Sequence, residues 1–303
     1  MTLDSIVEFL KNKPYAREMG AGKLSKWFEC DRETIYKAKE IARKSKIKLP
    51  RILLLDIETT PLEAFIWQTQ VWKARVGDES VISRWFMLTW AAKWLFSEDI
   101  MSMKLDGDEV EQENDKRIVE GLWKVLNEAD IVIAHNGDTF DVPNINTRFI
   151  VNGFPPTKPY QTIDTLRIAQ KQFGFTHNSL NALARVFGLT AKLSSGYDLW
   201  KRCKKGELDA LATMETYNRG DVSTLEEVYL KIRPWIKGHP NLGLYMELDE
   251  PVCRNCGSIH LKETGKYQYT STGRYSLLRC DCGAYGRLRT TDYPKEKRKF
   301  ILG

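Results

Sequence analysis

Apolar positions along the chain fall into three blocks with different periods. Near the start, Ile6, Val7, Phe9 and Leu10 recur at helical spacing, so Leu3 to Leu10 predicts a helix with one apolar side. Leu24, Trp27 and Phe28 lie before Glu29-Cys30-Asp31, and Ile35 and Ala38 lie after it. That predicts a short helix, a turn, and a longer helix capped by Asp31, with the three residues before the turn packing on Ile35 and Ala38. From Arg51 the pattern changes. Ile52 to Ile57 reads as the apolar run of a central strand covered on both faces, and Phe65–Thr69, Phe86–Trp94 and Ile100–Leu105 predict further strands. A helix over 113–127, a strand at Ile131–Ala134, a helix over 141–151 and a short strand near Gln161–Ile163 follow. Helices over 164–172, 178–187 and 207–232 complete the block. A strand meander followed by alternating helices and strands predicts a mixed α/β sheet flanked by helices. Pro234, Gly238, Pro240, Gly243 and Pro251 mark a linker. The expected division is therefore 1–49, 50–236, a linker over 237–251, and 252–303.

Composition changes this picture in one respect. With 303 residues, 42% hydrophobic and 28% charged, the chain suits two or three ordinary globular domains. No stretch reaches 18 uninterrupted apolar residues, since Val81 to Phe96 is cut by Arg84 and Lys93. The start lacks a signal-peptide layout, so a cytoplasmic protein with no membrane partner is expected. The net charge of +6, however, is segregated. Residues 1–50 carry 12 Lys/Arg against 7 Asp/Glu, residues 51–250 carry 23 against 29, and residues 251–303 carry 11 against 4. Basic ends flanking an acidic centre suit a chain that grips phosphates at its edges and holds cations in its middle.

The acids of that centre sit at the ends of apolar segments. Positions i and i+2 of a strand share a face, so Asp56 and Glu58 present two carboxylates side by side at a strand end, where α/β sheets place their sites. Asp141 closes His135-Asn136-Gly137-Asp138-Thr139-Phe140-Asp141 and reads as a helix start, where an N-cap role would by itself account for it. Tyr217 and Asp221, four apart, share one helix face. Gly220 between them costs about 1 kcal/mol against Ala in a helix, which close approach of a strand or a substrate would justify. Unpaired carboxylates are costly to bury, and a shared divalent cation would explain all four acids.

In this order and at these intervals, Asp-Ile-Glu at 56–58, Asn136-x3-Phe140-Asp141 and Tyr217-x3-Asp221 resemble the DEDD superfamily of 3′–5′ exonucleases. The tyrosine is that of its DEDDy branch, which includes the proofreading domains of family A and family B DNA polymerases. Trp90-Ala91-Ala92-Lys93-Trp94 and the stretch from His135 to Phe149 are similar to the stand-alone RNase H-like exonucleases that bacteriophages encode, some with a trailing zinc ribbon. The resemblance implies a DnaQ-like, RNase H-like fold and two Mg²⁺ or Mn²⁺ ions. By it, Asp56 bridges both ions, Glu58 and Asp221 complete the nucleophile side, and Asp141 holds the second ion directly or through water. Tyr217 orients the attacking water, and Asn136 and Phe140 contact nucleic acid. The residue types fit, because hard divalent cations prefer oxygen ligands and a pair of them about 4 Å apart can activate water and stabilise a leaving 3′ oxygen. Thr216, not His135, stands where the sister DEDDh branch has its histidine, so His135 reads as structural. Asp164 reads as an N-cap, and His177 and Asn178 as caps of the next helix. Trp67, Trp72, Trp85, Trp90 and Trp94 read mostly as core.

The flanking blocks carry their own chemistry. The N-terminal helix pair resembles a helix-turn-helix of DNA-binding proteins, with 35–44 as recognition helix and Arg32, Lys37, Lys39, Arg43 and Lys44 available for phosphates. Cys253-Arg-Asn-Cys256-Gly and Cys280-Asp-Cys282-Gly resemble a zinc ribbon with one structural Zn²⁺. The second pair is one residue shorter than the usual knuckle, and His260 is an alternative ligand. Few large aliphatics lie in this block, so without metal it would struggle to build a core. Its arginines and tyrosines, Arg274 and Arg287 among them, suit nucleic acid by charge and stacking, and docking on a polymerase is the other reading. Cys30 and Cys203 read as ordinary buried residues. The whole predicts a metal-dependent 3′–5′ exonuclease acting on DNA, with single-stranded 3′ ends implied by the family. It would stand alone or work beside a separate DNA polymerase or replication proteins. An exoribonuclease is one alternative, because the acids do not distinguish the sugars. A non-catalytic DNA-end-binding adaptor is the other, and it has no need of such a cluster.

Overall fold

The computed structural model describes all residues except 1, 18, 44–48, 68–75, 190–195, 247, 249, 272, 299 and 301–303. Two units emerge, one of residues 52–94 with 99–228, the other of residues 1–51, 95–98 and 229–303.

The second of these begins with α1 (Leu3–Asn12), α2 (Ala21–Phe28) and α3 (Arg32–Arg43). Ile6, Leu10, Leu24, Phe28, Ile35 and Ala38 share one buried cluster, as their spacing predicts. Glu29 ends α2 in the left-handed region at φ 50°, and Asp31 caps α3 by accepting the Thr34 N–H at 2.7 Å. Trp27 does not pack inward. It is 60% exposed, standing edge-on to Phe9, because Leu24 and Phe28 already fill the face of α2 that meets the cluster.

The larger unit opens with β1 (Ile52–Thr59), a short ladder of β2 (Glu63–Ala64) and β3 (Val81–Ser83), then β4 (Met87–Trp94) and β5 (Ile100–Lys104). α4 (Gly107–Glu111), α5 (Lys116–Leu126), β6 (Ile131–Ala134), α6 (Asp141–Val151), β7 (Gln161–Asp164) and α7 (Thr165–Gln172) follow. α8 (Leu180–Val186), α9 (Tyr197–Lys204) and the long α10 (Leu208–Ile232) end the series. Five strands form one mixed sheet in the order β5-β4-β1-β6-β7. β5, β4 and β1 run antiparallel, and β1, β6 and β7 run parallel. The central strand is β1, and Leu53, Leu55 and Ile57 on one of its faces enter a core with Phe86, Leu122 and Ile145. Helices flank this sheet, so the α/β class read from the sequence holds.

Two local expectations fail. Of the strand expected over Phe65–Thr69, residues 65–67 form none, since their side chains are exposed and pack on no core, and residues 68 and 69 lie outside those described. The helix expected at 113 begins at Lys116, because Glu113 is left-handed at φ 51°. Asp115 is fully buried just before that helix. It accepts the Met87 N–H at 2.9 Å, Arg148 at 2.5 and 2.7 Å, and Asn152 at 2.8 Å, tying the start of β4 to α6. α4 and α9 were not anticipated.

Past α10 the chain returns to the other unit. Residues 237–251, read as a linker, carry α11 (Gly243–Met246) and bury His239, Leu242 and Met246. β8 (Leu261–Thr270), β9 (Gly273–Cys280) and β10 (Tyr285–Arg287) form an antiparallel sheet in the order β10-β9-β8, followed by α12 (Lys295–Arg298). Cys253, Cys280 and Ala284 are its buried cluster, with Cys256, Leu261 and Cys282 packed against them. So few apolar side chains cannot alone offset the ordering of about 50 residues.

Candidate functional site

The site exists because β1 outruns β6. Their parallel pairing ends at Leu54 opposite Ile133, whereas pairing with β4 continues past Glu58. Beyond that point the β6 side of β1 is open, and Asp141 at the start of α6 accepts the Ile57 N–H there at 3.1 Å. Asp141 therefore spends its carboxylate on the sheet rather than on an N-cap. Asp56 and Glu58, opposite Ala91 and Thr89 on β4, flank that backbone group and point to the other face from Ile57. α10 brings Asp221 to them. Carboxylate oxygens of Asp56, Glu58 and Asp221 all lie within 4.8 Å of one another.

Like charges this close repel unless something positive is shared among them. Burial first, then the charge of Asp56 and that of Glu58, hold the Asp141 carboxyl well above the usual carboxylate range, against the lowering effect of the Ile57 N–H. An all-oxygen, acidic donor set of this kind fits a hard divalent cation. The four acids read from the sequence thus divide into three whose oxygens converge and a fourth, Asp141, bonded to the backbone between two of them.

Tyr217 lies one helical turn before Asp221, half-buried, with its ring edge-on to Trp200 of α9 at 6.3 Å. Asn218, which the sequence reading passed over, is fully buried and donates from Nδ2 to Asp56 Oδ2 at 2.6 Å. The available signal was its place three before Asp221 on the same helix face. Apart from its chain neighbours and its own helix backbone, no described atom comes within 4 Å of a Cβ built on Gly220, so approach by a neighbouring strand is not what selects glycine there.

Asp164 does more than cap α7. Its oxygens accept the N–H groups of Leu166 and Arg167 and also those of Asn136 and Asp138, fixing the loop between β6 and α6. Asn136 in that loop is left-handed at φ 71°, and Phe140 is 40% exposed. His135 Nδ1 meets the Thr165 hydroxyl at 2.9 Å. α8 is capped by Ser179, not by His177 or Asn178. Of the tryptophans, Trp90 is core and donates to Ile118 O, Trp94 is half-buried, and Trp85 lies under the Arg148 guanidinium. Trp67 is wholly exposed, and Trp72 lies outside the described residues.

In the other unit the four cysteines of the two short motifs converge. Cys253 and Cys282 Sγ are 3.8 Å apart, and Cys256 and Cys280 Sγ are 3.5 Å apart. Four thiolates about 2.3 Å from one zinc would be separated by about 3.8 Å, so the set fits that ion. His260 is not part of the group. The shorter motif closes by a shorter turn: Gly257 N–H reaches Cys253 O, four residues back, whereas Gly283 N–H reaches Cys280 O, three back. Both glycines are left-handed, at φ 69° and 91°, which suits the residue type. Cys203 is core, as read, and Cys30 is only half-buried.

The expected phosphate contacts are dispersed. On α3, Arg32 is exposed, Lys37 pairs with Glu33 at 2.7 Å, and Lys39 donates to Met19 O. The side chains of Arg43 and Lys44 lie outside the described residues. Arg274 stacks over Tyr267 and Arg287 over Tyr275, and strand alternation puts these two arginines on opposite faces of the ribbon.

Residues 53–233 match the family model of the RNase H superfamily. No curated protein matches the chain. Among solved structures it is similar to the family B DNA polymerase from the hyperthermophilic archaeon Pyrobaculum calidifontis, with 16% identity and a TM-score of 0.46. The match covers 61% of this chain and 25% of that one, so the chain spans about a quarter of the polymerase's length.

Proposed function

Since the chain belongs to the RNase H superfamily, whose fold here carries a converging acidic site, it is a nuclease of that superfamily; we propose that it is a metal-dependent 3′–5′ exonuclease acting on single-stranded 3′ ends of DNA. The observation that carries the reading is the convergence of Asp56, Glu58 and Asp221 within 4.8 Å, with Asp141 on the backbone between the first two. No helix among the described residues is long and apolar enough to cross a membrane.

Asp56, Glu58 and Asp221 would hold one Mg²⁺ or Mn²⁺, and Asp56 with Asp141 a second. Such ions supply an acidified water and a sink for the charge that develops on the leaving 3′ oxygen. Asn218 fixes the Asp56 oxygen it bonds, so Asp56 keeps one rotamer toward the site. Tyr217 would orient the attacking water by hydrogen bonding through its phenol oxygen. The Asp164-pinned loop sets Asn136 and Phe140 to hold the terminal nucleotide. The α2–α3 turn and the cysteine ribbon with its single Zn²⁺ grip the strand, and a replication complex with a separate polymerase is the setting this suits.

The test is degradation of 5′-labelled single-stranded DNA and matched RNA with Mg²⁺, Mn²⁺ or neither, beside Asp56→Ala. A metal-dependent ladder shortening from the 3′ end of DNA, lost in the variant, is expected. Preferential shortening of RNA, or no cleavage with DNA still retained in a gel shift, overturns the assignment.

A further inference from the structure

Strand alternation sorts the ribbon's side chains. On β9, Leu278 and Cys280 turn toward the cysteine cluster, so Tyr275, Leu277 and Arg279 occupy the outward face. Register extends that face across the sheet. Arg279 is directly opposite Lys262 of β8 and Tyr285 of β10, giving a row Lys262–Arg279–Tyr285 over three strands. The next row outward pairs Leu277 with Arg287. Lys262, Lys266, Leu277, Arg279 and Tyr285 line an open cleft of about 610 Å³ on this face, with Glu263 the one acid at its rim.

Two cations here stand over tyrosine rings. The Arg279 guanidinium stands 5.5 Å from the Tyr285 centroid, and that of Arg287 stands 3.8 Å from Tyr275. A guanidinium so placed keeps N–H groups for phosphate, and the neighbouring phenol ring offers a base a face to stack on. Tyr285 is 55% exposed, and Lys262, Arg279 and Arg287 are exposed too. The block from 251 onward carries 11 Lys/Arg against 4 Asp/Glu, so the field around the cleft favours a polyanion.

We propose that this outward face of the ribbon is an accessory site for single-stranded nucleic acid, made of residues other than the catalytic acids. Its ligand class rests on the nuclease reading above. A single strand is favoured over a duplex because exposed tyrosine and arginine side chains engage base faces that a duplex keeps stacked on one another, while the row of cations follows the backbone. Arg274, on the opposite face and set between Tyr267 and Tyr293, is outside the site.

The test is fluorescence anisotropy of a labelled oligothymidylate of about 20 nucleotides on the full chain carrying Asp56→Ala, with zinc retained. Because binding is read without cleavage, its outcome stands apart from that of the nuclease assignment. Lys262→Glu with Arg279→Glu should weaken binding at least about tenfold and lower the salt slope by about 1.4, since each single-strand phosphate contact contributes about 0.7. The same two residues as Gln should lose about half as many decades, with zinc content unchanged, which separates lost contacts from lost folding. Lys295→Glu with Lys297→Glu, an equal change of charge on exposed residues outside the face, should stay within about threefold. Tyr285→Ala should weaken binding while leaving the salt slope unaltered. The proposal is overturned if the face variants bind as the parent does, if the Lys295/Lys297 pair loses as much, or if polyglutamate displaces the oligonucleotide as well as unlabelled oligothymidylate does.

Discussion

Glu58→Gln should make the protein more stable in the absence of divalent cations and less responsive to their addition. The carboxylate oxygens of Asp56, Glu58 and Asp221 lie within 4.8 Å of one another, where two unit charges repel by about 3.5 kcal/mol at an effective dielectric near 20 and by about 0.9 kcal/mol in bulk water. Removing one charge relieves two such pairs, or about 2 to 7 kcal/mol between those limits. Protonation caps the upper end: neutralising a glutamate of ordinary pKa at pH 7 costs about 4 kcal/mol, so the cluster cannot store more than that in one acid. The expected gain is therefore about 2 to 4 kcal/mol, or roughly 5 °C or more in Tm. The assay is thermal unfolding at pH 7 in Mg²⁺- and Mn²⁺-free buffer and again with Mg²⁺. Without the ion the variant should melt above the parent. With it the parent should gain by mass action, as any ligand of the folded state makes it do, and the variant should gain little. If Glu58→Gln melts below the parent without cations, or if Mg²⁺ shifts both equally, the electrostatic account of the site is wrong.

Three other outcomes follow from the same structure. Asn218→Ala should weaken Mn²⁺ binding about tenfold by calorimetry, because Asp56 loses the donor that orients it; an affinity within about twofold of the parent would remove Asn218 from the site. Asp115→Ala should cost about 4 kcal/mol in urea unfolding by stranding the largely enclosed Arg148 guanidinium, and Asp115→Leu with Arg148→Met should recover most of it; a single variant within about 1 kcal/mol of the parent would contradict this. Native mass spectrometry should find one zinc per chain, lost in Cys280→Ser together with the amide protection of β8 and β9, whereas a parent without zinc would refute the tetrahedral reading.

Much of the fold was legible because its periods are simple. The run from Ile52 marks a strand buried on both faces, and the helices expected at 141–151 and 207–232 fall at Asp141–Val151 and Leu208–Ile232. Failures came where a tertiary partner overrides the local pattern. Asp115 looks like a helical residue until Met87, Arg148 and Asn152 claim its carboxylate, and Phe65–Trp67 is β-prone sequence whose exposed side chains join no core. The site divides likewise. Asp56 and Glu58 announce themselves as two acids on one strand face, but the Asn218–Asp56 bond spans 162 residues and leaves no local mark. Asp141 was visible as an acid at a helix start. Its bond to Ile57 N–H depends on β6 ending early, which strand lengths read from sequence do not resolve.

The central claim is that these carboxylates hold divalent cations, and anomalous scattering from crystals soaked in Mn²⁺ tests it most directly. The account predicts a peak bound by Asp56, Glu58 and Asp221, absent from Asp56→Ala crystals soaked in the same way, with any second peak against Asp56 and Asp141. Fully occupied Mn²⁺ elsewhere with none at these residues, or a peak undiminished in the variant, would contradict it.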